Sequence, residues 1–443
     1  MRLSSVCALV LGLMAAGVAP GADADPHAAA RLQRFNDYKF GMFIHWGPYS
    51  LASVEASWPI LRPRPGGISE ADYRALPERF NPEKFDPQAW VRLAKAAGQR
   101  YMVITTKHHD GFCMFDSAYT KYKITNTPYK KDVVAMLAAA AKAEDMPLGF
   151  YYSPPDMNHA AFRDTSKLSS QTWAGDPTRA EWPLYLSYME MQLRELLTRY
   201  GDAFVIWFDG LDHKEKYDGV RFHKLIRDLQ PMTLINDRIG LTGDFVTPEQ
   251  RLPNGIPTKG AKVTEVNPND EGVVKEAPSR EQFQPWETCM TINDTWAYNK
   301  NDHNFKSTTT LVRALIDAAS KGGNFLLNVG PGPDGTIQPE FQERLLQIGA
   351  WLKVNGDAIY GTTYGPLQDL SFGRSTAKAG TVYLHVFEMP KATLEVKGLH
   401  AKSVSLLDGK KPLQFKQTAG GIAISVAGVK ADPYATVIAV KTK

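Results

Sequence analysis

Cysteine is nearly absent from this chain, with three in 443 residues. Cys7 lies in an apolar leader, which leaves Cys113 and Cys289; two cysteines make no disulfide framework, and two buried free thiols are expected. Charge of one sign is also lacking. Lys and Arg number 51 against 47 Asp and Glu, a net +4, and no basic tract concentrates the excess, so neither nucleic acid nor a membrane surface is an expected partner. After residue 24 nothing approaches the roughly 20 unbroken apolar residues of a membrane helix, so no membrane insertion is expected. No H-E-x-x-H or C-x-x-C offers a metal site. No Walker loop follows a strand-like run, and no G-x-S-x-G elbow supplies a serine nucleophile.

What the chain does have begins with its leader. Arg2, the run "VCALVLGLMAAGVA" and the small residues Ala22 to Ala24 read as a secretory signal peptide over residues 1–24. The mature protein then starts near Asp25 and is exported, to a periplasm or out of the cell. The remaining chain is long enough for one large domain and a small one. Aromatics are plentiful, with 9 Trp and 18 Tyr; their flat faces suit sugars, although most aromatics in any protein are core.

One plan recurs along the chain. "PQAWVRLAKAAGQRYMVITTKHHDGF" (87–112) is an amphipathic stretch, a glycine, then an apolar run ending in polar residues. Segments 130–156, 181–210, 220–240 and 307–335 repeat it, the first with Glu144–Asp145 and the third with Pro231 in place of the glycine. "KFGMFIHWG" (39–47) reads as the first strand of the series. A 3.6-residue period giving way each time to a continuous apolar run marks helices packed on buried parallel strands. The expected fold is α/β, a (β/α)8-like TIM barrel over residues 25–360. From about 365 short alternating runs with turn signals predict a small antiparallel β-sandwich, residues 361–443.

In such a barrel the residues just past the strand C-termini build the active site. Those ends carry His45, His108 and His109, Tyr151 and Tyr152, Asp209, and Asp237 with Arg238. The set is too polar and aromatic for plain turn chemistry. Asp209 closes "VIWFDG", with Trp207 on the same strand face. Adjacent histidines on one strand face opposite ways, so His108 and His109 converge only if the strand has already ended. Glycoside hydrolysis needs two carboxyl groups, and the irregular stretch 241–306 offers Glu249, Glu265, Glu271, Glu276 and Glu287 as the second. Pattern alone does not choose among them.

Seven ordered segments, "KFGMFIHWGPYS", "KHHDGFCMFDS", "GFYYSPPD", "VIWFDG", "INDRIG", "WETCMTINDTWAYN" and "SKGGNFLLNVGPGPDG", resemble α-L-fucosidases of glycoside hydrolase family 29. The resemblance runs from about residue 33 to 365 and implies a retaining exo-enzyme. Such an enzyme releases terminal α-L-fucose from fucosylated oligosaccharides or glycoconjugates through a covalent fucosyl-enzyme intermediate, with no metal or cofactor. It implies Asp209 as nucleophile and, through "DFVTPE", Glu249 as acid/base, with Glu287 the alternative. Substrate contacts fall on His45, Trp58, His108, His109, Tyr151, Trp207, Arg238 and Trp296. Many members carry Glu-Trp in direct sequence; here Ser57 precedes Trp58 and Glu55 lies further back. Competing expectations are a non-catalytic fucose- or glycan-binding barrel, which the presence of Asp209 and several acids counts against, and a metal-dependent hydrolase using His108, His109 and Asp209. Oligomeric state is open, a homo-oligomer included.

Overall fold

The computed structural model describes residues 25–167, 174–210, 214–263, 270–368 and 370–442. The expected leader and Glu265 lie outside the described residues. The apolar runs form parallel strands β1 Phe40–Ile44, β2 Tyr101–Lys107, β3 Leu148–Tyr152, β4 Ala203–Phe208 and β5 Leu234–Ile235. A hairpin of β6 Ile256–Lys262 and β7 Glu271–Val274 stands apart. Then β8 Glu287–Thr291 and β9 Asn324–Val329 rejoin the sheet, whose order is β5-β4-β3-β2-β1-β9-β8.

Residues 244–250 close the gap between the two edges. Phe245 bridges Asn236 just past β5, while Val246 and Glu249 bridge Trp286 and Cys289, all in parallel sense. The Asp244 amide donates to the Ile235 carbonyl at 2.7 Å and the Gln250 amide to the Cys289 carbonyl at 2.8 Å. This eighth stave has no continuous apolar run, and Pro248 removes one ladder donor, so its strand character is invisible in the pattern. Glu249 sits near its C-terminal end, as Asp209 does on β4.

The side-chain period of two explains why the strands read as unbroken apolar runs. Phe43, Val103, Tyr151, Val205, Trp207 and Leu326 gather in one interior cluster. Their neighbours Met42, Ile44, Met102, Ile104, Phe150, Ile206 and Leu327 join the cluster that packs under the helices.

Local chemistry sets the helix boundaries. Asp86, Asp132, Asp218 and Ser307 each accept an amide hydrogen bond at the start of helices Pro87–Ala96, Val133–Ala143, Gly219–Leu229 and Thr308–Ser320. Gly98, Gly201 and Gly322 follow helix ends with φ of 81°, 83° and 81°. Where the repeat lacks its glycine, Asp145 takes the same left-handed turn at φ 50°. The run G-P-G-P-D-G at 330–335 matches a dinucleotide spacing literally, yet no helix opens there. Gly335 turns back onto Gly332 and the next helix, Pro339–Asn355, starts later.

Beyond the barrel, β10 Thr363–Tyr364, β11 Gly373–Lys378, β12 Thr381–Val386, β13 Thr393–Lys397, β14 Ala401–Leu406, β15 Phe415–Thr418, β16 Gly421–Ser425 and β17 Thr436–Thr442 form two antiparallel sheets. Their orders are β10-β11-β12-β17-β14 and β13-β16-β15, and Leu384, Val396, Ile422, Ile424 and Ile438 share a core of their own. This unit docks on the last two barrel helices: Arg313 donates to the Phe387 carbonyl and Trp351 to the Ala435 carbonyl. Cys113 and Cys289 are both buried and free. Among the described residues no helix is long and apolar enough to cross a membrane.

Candidate active site

The C-terminal ends of the staves open on a cavity of about 980 Å³, at the large end of the roughly 300–1,000 Å³ usual for small-molecule sites. Asp209, Glu249 and the eight expected substrate contacts, from His45 to Trp296, line it, and so do Glu55, Lys214, Asp237, Thr247, Asp294 and Cys289. No described residue beyond Trp296 does, so the C-terminal sheets stand outside the site.

Asp209 follows β4 and is held at both oxygens. Arg238 donates to Oδ1 at 2.9 Å and the Tyr151 hydroxyl to Oδ2 at 2.8 Å, with His109 Nε2 3.5 Å away. Burial alone would raise this carboxyl. The Arg238 guanidinium, with the Tyr151 hydroxyl, outweighs burial and holds it below the ordinary carboxylate range. Asp209 is therefore ionised, and 14 % of its side chain stays exposed to the cavity. The glycine after it has a cause: a Cβ on Gly210 would come within 2.1 Å of the Arg238 carbonyl oxygen. The Asp-Gly pair is thus where the β4 end lies against the loop that carries the arginine.

Arg238 binds both carboxylates. Its second terminal nitrogen reaches Glu249 Oε2 at 2.8 Å, while Nε donates to Thr247 Oγ1 and the guanidinium lies 4.8 Å from the Trp207 ring centre. A retaining pair stands about 5–5.5 Å apart, a separation that two carboxylates sharing one guanidinium can readily adopt. Glu287 is elsewhere. It opens β8 at the opposite end of the stave, fully buried, accepting from the Tyr101 hydroxyl and from Trp207 Nε1 at 3.1 Å, and it does not line the cavity. Burial, opposed by those two donors, pushes it up to about 7. Glu271 and Glu276 are exposed.

β2 ends at Lys107, so both histidines after it turn into the cavity. Ser153 spends its hydroxyl proton on the Pro155 carbonyl, so His109 Nδ1 donates to Ser153 and its Nε2 is left as an acceptor. Nδ1 of His45 donates likewise to the Asn328 side-chain oxygen at 2.7 Å, leaving Nε2 to accept. Ser57 accepts the Asp110 amide and gives its proton to His108 Nδ1, which turns His108 Nε2 into a donor. Burial keeps all three imidazoles neutral, with His45 and His109 lowered to about 4 and His108 held well below its ordinary value. The cavity floor thus presents acceptor, donor and acceptor, a set that grips hydroxyl groups. Phe43, Trp58 and Trp296 supply apolar faces; the Trp296 ring lies 4.9 Å from His45 and Trp58 6.2 Å from His109. Among the described residues no group of three His, Cys, Asp or Glu is placed to hold a metal ion.

Glu55 is the residue that sequence reasoning set aside. It lines the cavity and accepts the Trp296 amide at both oxygens, at 3.0 and 2.9 Å. Burial, only partly offset by the Trp296 and Ala297 amides, raises it to about 7, with Asp302 and Glu249 adding to the effect. Ser57, at the position where a glutamate was expected, orients His108 instead. The signal was available in the spacing from Glu55 to Trp58, but only the fold shows that the displaced carboxyl still reaches the site.

The model of the family described as α-L-fucosidase matches residues 22–357. Plasma α-L-fucosidase of Rattus norvegicus is 30 % identical over 362 residues, covering 74 % of this chain and 70 % of that protein. Among solved structures, α-L-fucosidase isoenzyme 1 from Paenibacillus thiaminolyticus superposes with a TM-score of 0.83 at 35 % identity, over 94 % of this chain and 99 % of that one. An α-L-fucosidase from Bacteroides thetaiotaomicron, trapped as a covalent intermediate with 2-fluoro-fucosyl fluoride, superposes with a TM-score of 0.78 at 27 % identity, over 94 % and 96 %.

Proposed function

This chain belongs to the α-L-fucosidase family and is a glycoside hydrolase, and from that premise we propose a retaining exo-α-L-fucosidase with Asp209 as nucleophile and Glu249 as acid/base. The observation that carries the assignment is the shared arginine: one guanidinium bonds both carboxylates at the cavity floor. Two carboxylates on one cation leave a surplus negative charge, and the acid/base role requires that a proton reach Glu249 before the first step. Asp209, with its two fixed donors, keeps the anion.

In the first step Asp209 forms a bond to the anomeric carbon as the bond to the glycosidic oxygen breaks, and Glu249 gives its proton to the departing oxygen. In the second, Glu249 takes a proton from water, whose oxygen displaces Asp209 and restores the free carboxylate. His45, His108 and His109 hold the ring hydroxyls, while Trp58 and Trp296 face the methyl group of this 6-deoxy sugar. Trp207 and Tyr151 stack at 5.8 Å between centroids and keep the nucleophile's strand end rigid. Glu287 supports Trp207 from below and takes no part in proton transfer. Residues 1–24 act as a signal peptide, the enzyme works outside the cytoplasm, and a (β/α)8-like barrel to residue 360 precedes a bracing β-sandwich from 361.

Trapping with 2-fluoro-fucosyl fluoride followed by peptide mapping tests the pair. The label is expected on the peptide bearing Asp209, and a label on any other carboxylate overturns the nucleophile. Glu249→Ala should lose far more activity on alkyl fucosides than on nitrophenyl fucosides, because an activated leaving group needs no proton. Equal losses reassign the acid.

A further inference from the structure

The floor of the cavity is closed by buried Phe43, Tyr151 and Trp207. A fucosyl ring seated on Asp209 and the histidines can therefore extend its aglycone only through the mouth. The cationic side chains there are Arg62 and Arg64, exposed on the loop after β1, and half-buried Lys214 on the loop after β4.

Charge accounting shows which of these groups are committed. Asp209 and Glu249 share Arg238. Asp237 accepts from Thr247, and Asp294, a carboxylate at the rim, accepts from the Asn304 amide at both oxygens; these neutral donors fix the two carboxylates in place without cancelling their charge, which stays smaller than that of the three rim cations. Glu55 faces the Trp296 amide. Arg62 is held 5.2 Å from the Trp58 ring centre, which fixes its guanidinium over the aromatic wall. Arg64 and Lys214 form no ion pair and no side-chain hydrogen bond among the described residues. Two loops thus aim uncommitted positive charge at the path of the leaving group.

We propose that Arg62, Arg64 and Lys214 form a leaving-group subsite for an anionic substituent, a sulfate ester or a carboxylate, on the sugar that carries the fucose. The proposal rests on the fucosidase reading of the same cavity. A guanidinium fork matches the oxygens of either anion and an ammonium adds a point charge. Exposed contacts of this kind are individually weak, and together they give a preference of roughly tenfold at low salt.

The test compares kcat/KM for a fucosyl-galactoside, the same compound sulfated on galactose, and its galacturonate counterpart, in the wild type and in an Arg64→Ala/Lys214→Ala double variant. The expected wild-type result is a roughly tenfold advantage for a charged compound, shrinking in about 0.5 M NaCl, where screening is strong. In the double variant the ratio of charged to neutral substrate should fall to near one; taking a ratio cancels any shared effect on folding or chemistry. Equal preference for both anions assigns the subsite to charge, and preference for the sulfate alone assigns it to the fork geometry. A wild-type ratio of one or less, or a ratio unchanged in the double variant, overturns the subsite. Failure to cleave even the neutral fucoside or a nitrophenyl fucoside would instead overturn the fucosidase reading.

Discussion

Asp209 and Glu287 are two carboxylates linked to one tryptophan inside the same barrel. Asp209 lies two residues beyond Trp207 at the stave mouth, and Glu287 accepts the Trp207 indole hydrogen deeper in the interior. Both lie in low-dielectric surroundings that disfavour charge. Asp209 has a guanidinium at 2.9 Å and remains an anion. Glu287 has only the neutral donors Tyr101 and Trp207 and rises to about 7. Burial is common to both; the formal charge of the partner keeps one an anion, as the proposed nucleophile must be, and leaves the other a buried acid.

The largest expected effect comes from isosteric neutralisation of each. Asp209→Asn should lower kcat on nitrophenyl fucoside by about ten-thousand-fold, since no nucleophile remains. Glu287→Gln should change it less than about tenfold. Comparable losses in steady-state kinetics would erase the distinction between the two sites.

The matched tyrosines come next. Tyr151→Phe removes a donor from Asp209 and should cost roughly ten- to a hundredfold in kcat with little change in melting temperature. Tyr101→Phe leaves Glu287 with one donor and should cost about 1–3 kcal/mol of stability, with kcat nearly intact. A swap of these two phenotypes would mean that the deeper carboxylate takes part in the chemistry.

The pH dependence of stability sharpens the contrast. Glu287 has a folded pKa near 7, above its ordinary value of 4.5. Its contribution to stability is therefore complete below about 4.5 and is lost as pH rises through 7. Glu55 and Asp110, raised to about 7 and 6, titrate in the same window, so the useful quantity is the difference between wild type and Glu287→Gln. Between pH 4.5 and 7.5 the variant should gain on the order of 3 kcal/mol relative to wild type in urea melts. A flat difference would mean that Glu287 is not held protonated.

The smallest effect concerns the frame that carries both groups. Asp145 occupies the left-handed turn that Gly98 and Gly201 fill elsewhere. Asp145→Gly should stabilise by about 0.5–1 kcal/mol, read as a rise of roughly 1–3 °C in melting temperature with unchanged activity.

Much of this arrangement is legible in the chain. The repeated switch of period locates the strands with continuous apolar runs, Asp and Ser mark helix starts, and the strand ends carry His45, His108, His109, Tyr151 and Asp209. Residues 244–250 escaped, because a stave with a proline and isolated bridges has no periodic signature. Glu55 escaped because its neighbour Ser57, not the glutamate, stands beside Trp58.

By itself, then, the sequence determined a barrel-like sheet and an aspartate at its mouth, since both follow from local rules of side-chain period, capping and strand termination. Only the tertiary structure separated Glu249 from Glu287. Both lie in stretches where local pattern is weak, and what distinguishes them is which end of a stave each occupies and whether Arg238 reaches it. The same holds for the rim: Lys214 lies 150 residues beyond Arg64 in the chain, and only the closed sheet brings it to one mouth with Arg62 and Arg64.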